Sequence, residues 1–164
     1  MIIAGIDPGK TGAMVHLFPN DDVLVFRVPL MTDKGKEVAC EAEWARTWGC
    51  TEAADMYVIE RVGSMPAQGR AGQLRAAQGI SSTFKFGVSF GFVKALAYMQ
   101  ARPTHLVTPA QWKTKMGLQG AGKNASRELA RRMLPKLAPH ITRVKDDGVA
   151  EAALLALYGR RYLR

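Results

Sequence analysis

Residues 148–159 read GVAEAALLALYG. Ala and Leu make this run a strong helix former, and it has no polar face. A helix that is apolar all round has to be enclosed, so the rest of the chain must pack on several sides of it. With 164 residues, 48% of them hydrophobic, the chain can build such an enclosure as one domain without a disulfide staple. One charge, Glu151, interrupts the run. Burying a lone carboxylate is costly unless something compensates it. Asp146 and Asp147 stand just before it, and Asp147 and Glu151 are i and i+4, on one helical face.

What surrounds this helix reads as an alternation of strands and helices. Met1–Asp7 is an apolar strand ending in a carboxylate, and DPGKTG after it is a turn. Ala13–Phe18 and Val23–Val28 are two further strands joined by a turn at PNDD. Val38–Cys50 has helical periodicity, with Cys40, Trp44 and Trp48 in a stripe suited to core packing. MYVIE, residues 56–60, is a short buried strand that again ends in a carboxylate. The Gly-, Gln- and Arg-rich stretch 61–79 reads as a mobile loop or a weak helix start. An apolar helix over Ser82–Gln100 follows, then a strand at Thr104–Val107. TPAQ at 108–111 has the form of a capping box with proline at the first helical position. GLQGAGKN is a loop, and Ala125–Leu134 a basic amphipathic helix. The order predicts an α/β fold: a mixed five-stranded sheet, antiparallel strands first and parallel ones later, with helices on both faces.

The carboxylates carry the chemical expectation. If the strands ending in Asp7 and Glu60 are parallel neighbours, the two side chains meet at the C-terminal edge of the sheet, where α/β proteins place their sites. Asp147 and Glu151 on the last helix would complete a cluster of four. Such a cluster repels itself unless cations neutralise it. Oxygen ligands without His or Cys favour Mg²⁺, with Mn²⁺ able to substitute, over zinc. Two such ions can activate water and stabilise the leaving oxygen of a phosphodiester. The plain alternatives are capping for Asp146 or Asp147, turn chemistry for Asp7, and an ion pair with Arg61 or Arg70 for Glu60.

Charge distribution names a partner class. The net charge is +9, and from Arg61 to Arg127 there is no Asp or Glu, while Arg61, Arg70, Arg75, Lys85, Lys94, Arg102, Lys113, Lys115, Lys123 and Arg127 lie in that segment. Such asymmetry is the footprint of a polyanion binder. The alternative is a solubilising surface, which usually mixes both signs. Cys40 and Cys50, ten residues apart on one predicted helix, are too distant for a disulfide and read as reduced, half-buried thiols. No leader and no membrane-length apolar run is evident, so the expectation is a soluble, cytoplasmic protein.

GIDPGKTGA, VIER, VTPAQWKTKMG, GKNAS and DDGVAEAALLALYG together, in this order along nearly the whole chain, resemble the RuvC Holliday junction resolvase family, in particular its short bacteriophage members. The resemblance implies an RNase H-like fold spanning residues 1–164 as a single nuclease domain. It also implies a homodimer and Mg²⁺-dependent nicking of four-way DNA junctions, in a bacterial or phage-infected cell. Residue by residue, it implies Asp7, Glu60, Asp147 and Glu151 as catalytic metal ligands. Lys113 and Lys123 match the family's DNA-approaching positions. Arg70, Arg75 and Lys115, in the acid-free segment, are further DNA-contact candidates. Three features depart from the family pattern. The final acid is Glu, the last pair is spaced by four, so Asp146 stays a rival for the third position, and Val62 and Gly63 replace an aromatic after the second acid.

Other readings are a branched-DNA-binding module without catalysis and a relaxed flap or fork nuclease on the same scaffold. GLQGAGK mimics a phosphate loop, but Asn124 replaces the required Ser or Thr and a predicted helix, not a strand, precedes it. A two-fold junction also calls for paired nicks, hence a two-fold dimer. The apolar 82–100 helix, with Phe84, Val88, Phe92 and Leu96 on one face and Phe86 and Phe90 on another, is the expected interface.

Overall fold

Alternation along the strands decides which side chains see which helices. In the computed structural model, which describes residues 1–61, 80–122 and 124–163, β1 (Ile3–Asp7) pairs antiparallel with β2 (Ala13–Leu17), and β2 with β3 (Val23–Arg27). A hairpin follows, β4 (Leu30–Asp33) and β5 (Lys36–Ala39), then α1 (Glu41–Cys50), β6 (Met56–Glu60), α2 (Ile80–Met99), β7 (Thr104–Val107) and α3 (Pro109–Lys115). Helices α4 (Ala125–Met133) and α5 (Asp147–Tyr162) complete the chain, with short 3-10 turns at Pro135–His140 and Val144–Asp146 between them. β6 lies parallel to β1, and β7 parallel to β6, giving the order β3-β2-β1-β6-β7. The mixed five-stranded sheet expected from the sequence is present.

Ile3, Val15, Leu17, Met56 and Val58 project to one face, where Leu154 and Leu155 of α5 and Leu134 and Leu137 near α4 close a core. Ala4, Ile6, Met14, Tyr57 and Ile59 project to the other, against Trp44 and Trp48 of α1 and Val93 and Ala97 of α2. Each fully buried Leu or Ile contributes about 1.5–3 kcal/mol. From Gly148 to Gly159 every residue of α5 except Glu151 is buried, as its apolar circumference requires. Gly5 lets it come so close: a Cβ there would overlap the carbonyl oxygen of Ala152.

Three sequence expectations change. The β4–β5 hairpin fills a stretch to which the sequence reading gave no element and takes Val38 and Ala39 from the expected start of α1. Its two-residue turn puts Lys34 at φ 46° and Gly35 at φ 74°. The primed turn that suits a hairpin needs two positive φ values, and Lys-Gly signals it less clearly than Asn-Gly. Consequently Cys40 sits at the start of α1 and not within it, and Cys50 is exposed where a half-buried thiol is expected. On α2, Phe90, Phe92 and Leu96 pack against the α1–α2 core. Phe90 is therefore partly buried within its own chain. Phe84, 72% exposed, and Val88 point outward. The stretch 61–79 falls, beyond Arg61, outside the described residues. Among those described, no helix is long and apolar enough to cross a membrane.

Candidate active site

Asp7 and Glu60 end adjacent parallel strands, Ile6 being paired with Ile59. Both follow the alternation of Ile3-Gly5 and Met56-Val58, so both face α5. Local chemistry fixes each one. Asp7 Oδ1 accepts the Gly9 backbone N–H at 2.9 Å, closing the turn at Pro8-Gly9. The Ser89 hydroxyl of α2 donates to the Pro8 carbonyl at 2.7 Å and holds that turn from the other side. Glu60 Oε1 accepts the indole N–H of Trp112 at 2.9 Å. Trp112 is carried there by α3, whose start is the expected capping box: the Thr108 hydroxyl accepts from Gln111 N, and Gln111 Oε1 accepts from Thr108 N.

The helix-borne acids have different company. Glu151 Oε1 accepts from Lys113 Nζ at 2.8 Å and from the Ser126 hydroxyl at 3.0 Å. Asp147, the first residue of α5, meets Arg127: Nε lies 3.0 Å from Oδ1. That contact is an ion pair without an aligned N–H, because neither atom has a hydrogen-bond partner of good geometry. Gly148 presses α5 onto this corner, where a Cβ would overlap the Thr11 carbonyl oxygen and stand 2.7 Å from Asp7 Oδ2.

Asp146 is elsewhere. It is 1% exposed, accepts the Arg143 backbone N–H at 2.8 Å, and pairs with the guanidinium groups of Arg143 at 2.8 Å and Arg27 at 3.0 Å. Burial alone would raise its carboxyl, but the Arg143 hydrogen bonds and the Arg27 charge outweigh it and hold the group at about 2. This residue tethers the 3-10 turn before α5 to β3; its side chain does not cap α5 itself.

The sheet acids are electrostatically unsettled. Burial pushes Asp7 up to about 7, with the charges of Glu60 and Glu151 adding to the rise and the Gly9 hydrogen bond and Lys113 opposing it. Glu60 is raised too, first by burial and then by Glu151, against the Trp112 hydrogen bond and Lys113. Asp7 and Glu60 end neighbouring strands, and Glu151 is near enough for its charge to raise both. Among the described residues, no three His, Cys, Asp or Glu side chains are drawn to metal-ligating spacing, and Glu151 and Asp147 are each engaged by a basic side chain, Lys113 and Arg127. The donor set fits a hard divalent cation nonetheless. It is all carboxylate oxygen, and a cation would reverse the cost that now holds Asp7 towards its neutral form.

The five basic candidates divide. Lys113, half-buried, reaches into the carboxylate site, its Nζ 2.8 Å from Glu151 Oε1; Lys115 is exposed on α3. Arg70, Arg75 and Lys123 fall outside the described residues. Trp112, Ser126 and Arg127 are site residues that the sequence reading leaves without a role. Trp112 and Ser126 lie inside the motifs QWKTK and GKNAS, which was the available signal; Arg127 follows directly after the second.

No known family model matches the chain, and no curated protein does either. Solved structures do. A Thermus thermophilus RuvC structure matches over 98% of this chain and 96% of its own, with TM-score 0.54 and 20% identity. The fold is that of RuvC. A second structure, T. thermophilus RuvC in complex with Holliday junction substrate, matches over 99% of this chain and 97% of its own, with TM-score 0.59 and 19% identity. The RuvC likeness spans nearly the whole chain.

Proposed function

We propose that residues 1–164 form a single nuclease domain, a structure-selective endonuclease that nicks four-way DNA junctions and other branched DNA. The carrying observation is that Asp7 and Glu60 end adjacent parallel strands facing α5, where Glu151 is near enough for its charge to raise both, in a fold shared with a RuvC in complex with Holliday junction substrate. Asp7, Glu60, Asp147 and Glu151 would hold Mg²⁺ or Mn²⁺, as two ions. Bound there, the metal would supply Lewis-acid stabilisation and an activated water for phosphodiester hydrolysis. Trp112 orients the Glu60 carboxylate. Lys113, beside Glu151, offers an ammonium for negative charge on the reacting phosphate. The acid-free segment, including Arg70, Arg75, Lys115 and Lys123, supplies phosphate contacts, so binding weakens steeply with salt.

Two matched nicks require two sites. The reading therefore includes a homodimer through the outward face of α2, where Phe84 and Val88 are exposed. Val88→Glu should convert a dimer to a monomer in light scattering; a wild-type monomer both free and on junction DNA overturns the dimer. The decisive test of function is a panel of labelled four-way, three-way, flap and linear DNA with and without Mg²⁺. Mg²⁺-dependent nicks near the branch of four-way DNA are expected. Full cleavage in EDTA, or none on any branched substrate, defeats the reading.

A further inference from the structure

The backbone around Asp147 leaves its side chain little freedom. Asp146 is clamped by Arg27 and Arg143, and Gly148 is pressed against the Thr11 carbonyl. The remaining freedom is in the carboxylate torsions, and Arg127 settles those. Its residue is 7% exposed, unusual for an arginine, and it sits in the first turn of α4. One NH2 hydrogen bond, 2.5 Å to Asn124 Oδ1, ties the guanidinium to the end of the preceding loop. Its Nε rests 3.0 Å from Asp147 Oδ1. The Asp147 side chain is 44% exposed overall, yet Oδ1 itself is buried and accepts no aligned N–H. The oxygen thus has charge compensation without a committed hydrogen bond, a contact that can be exchanged.

We propose that Arg127 is a positioning residue for Asp147: a resident counter-charge that holds the carboxylate in place and that a divalent cation must displace. The inference rests on the metal-dependent reading above. A guanidinium stays protonated at any working pH, so it cannot yield by losing its charge. It has to move, and its Asn124 tether resists that movement. Cation binding at Asp147 is therefore weakened by Arg127, and the loop ending at Asn124 feels whether a cation is bound.

Mn²⁺ binding to the DNA-free protein, followed by electron paramagnetic resonance and calorimetry, reads this directly. Arg127→Gln should bind Mn²⁺ roughly three- to tenfold more tightly than wild type, the range expected when one partly screened charge is removed. Arg127→Lys, which retains the charge, should lie between the two. The gain should vanish when Asp147→Asn is combined with Arg127→Gln, which a merely structural role for Arg127 would not produce. Asn124→Ala, at an exposed position, loosens the tether and should shift affinity the same way by a smaller factor; it serves where Arg127→Gln fails to fold by circular dichroism. Unchanged or weaker Mn²⁺ binding in both Arg127→Gln and Asn124→Ala overturns the proposal. Absence of any Mn²⁺ binding in wild type overturns the metal-dependent reading itself, and this proposal with it. Wild-type binding that these variants do not tighten overturns only the role of Arg127.

Discussion

The two acids carried by strands and the two carried by α5 lie at one corner of the molecule under opposite electrostatic conditions. Asp7 and Glu60 are held by the backbone and by neutral donors, Gly9 N–H and the Trp112 indole, and their ionised forms are disfavoured. Asp147 and Glu151 each touch a cationic side chain, Arg127 and Lys113. Strand ends fix a side chain's position and bury its base, so the sheet pair cannot move apart to relieve repulsion. Helix residues at the rim reach neighbours on α3 and α4, so the helix pair can recruit its own compensation. A site divided this way keeps its unsatisfied charge where geometry is most rigid, the place a cation gains most by binding.

The largest effect should come from removing the rigid pair's charge. Asp7→Asn or Glu60→Gln is expected to abolish Mg²⁺-dependent nicking while junction affinity holds or rises, because the proposed DNA site loses a negative charge. A gel assay with parallel binding titrations checks this, and a full-rate Asp7→Asn enzyme would show that the sheet acids are not the ligands.

Next is the spacing between the pairs. Gly5→Ala places a methyl on the Ala152 carbonyl and forces α5 away from β1. The expected loss is about 3 kcal/mol or more, since backbone cannot yield as a side chain can. Urea unfolding measures it. A loss under about 1 kcal/mol would mean that α5 is not wedged against the sheet as described.

The pH dependence should separate an unsettled acid from a satisfied one. Asp7 has a raised folded-state value, about 7 against 3.8, so the fold prefers it neutral. Its contribution to stability is fully present below about pH 4 and is lost as pH rises through 7. Asp7→Asn should therefore be more stable than wild type at pH 8, by at most a few kcal/mol, and no different near pH 3.5. Asp146 behaves oppositely. Its folded value is lowered to about 2, so its contribution is present above pH 4 and is lost as pH falls through 2. Asp146→Asn should cost about 2 kcal/mol at pH 7, with the difference closing in strong acid. Thermal melts across pH would expose matching trends in the two variants, and with them a failure of the contrast.

The smallest effect concerns one hydrogen bond. Trp112→Phe removes the indole donor from Glu60 and keeps most of the packing, at about 1 kcal/mol of stability. The acidic limb of the nicking pH profile should move upward, because the donor that lowers Glu60 is gone. An unshifted limb would mean that this bond does not tune the carboxylate during the reaction.

The placement of Asp7 and Glu60 was legible in the sequence. Apolar runs of strand length, each ending in an acid, put both carboxylates at one sheet edge through the two-residue period of the pleat. The enclosed α5 was equally legible, because a helix without a polar face has only one kind of surroundings. So was the cap of α3, whose chemistry is complete within four residues. The β4–β5 hairpin was not, because a positive φ at Lys34 is a backbone state that its side chain does not announce. Nor was the division of labour between Asp146 and Asp147. Adjacent in sequence and alike in chemistry, they are told apart only by the cations brought to each: Arg27 from β3 and Arg143 from the 3-10 turn on one side, Arg127 from α4 on the other. Local backbone patterns repeat over a few residues and can be read in line. Ion pairs depend on which side chains packing brings within about 4 Å, and most such partners lie far apart along the chain.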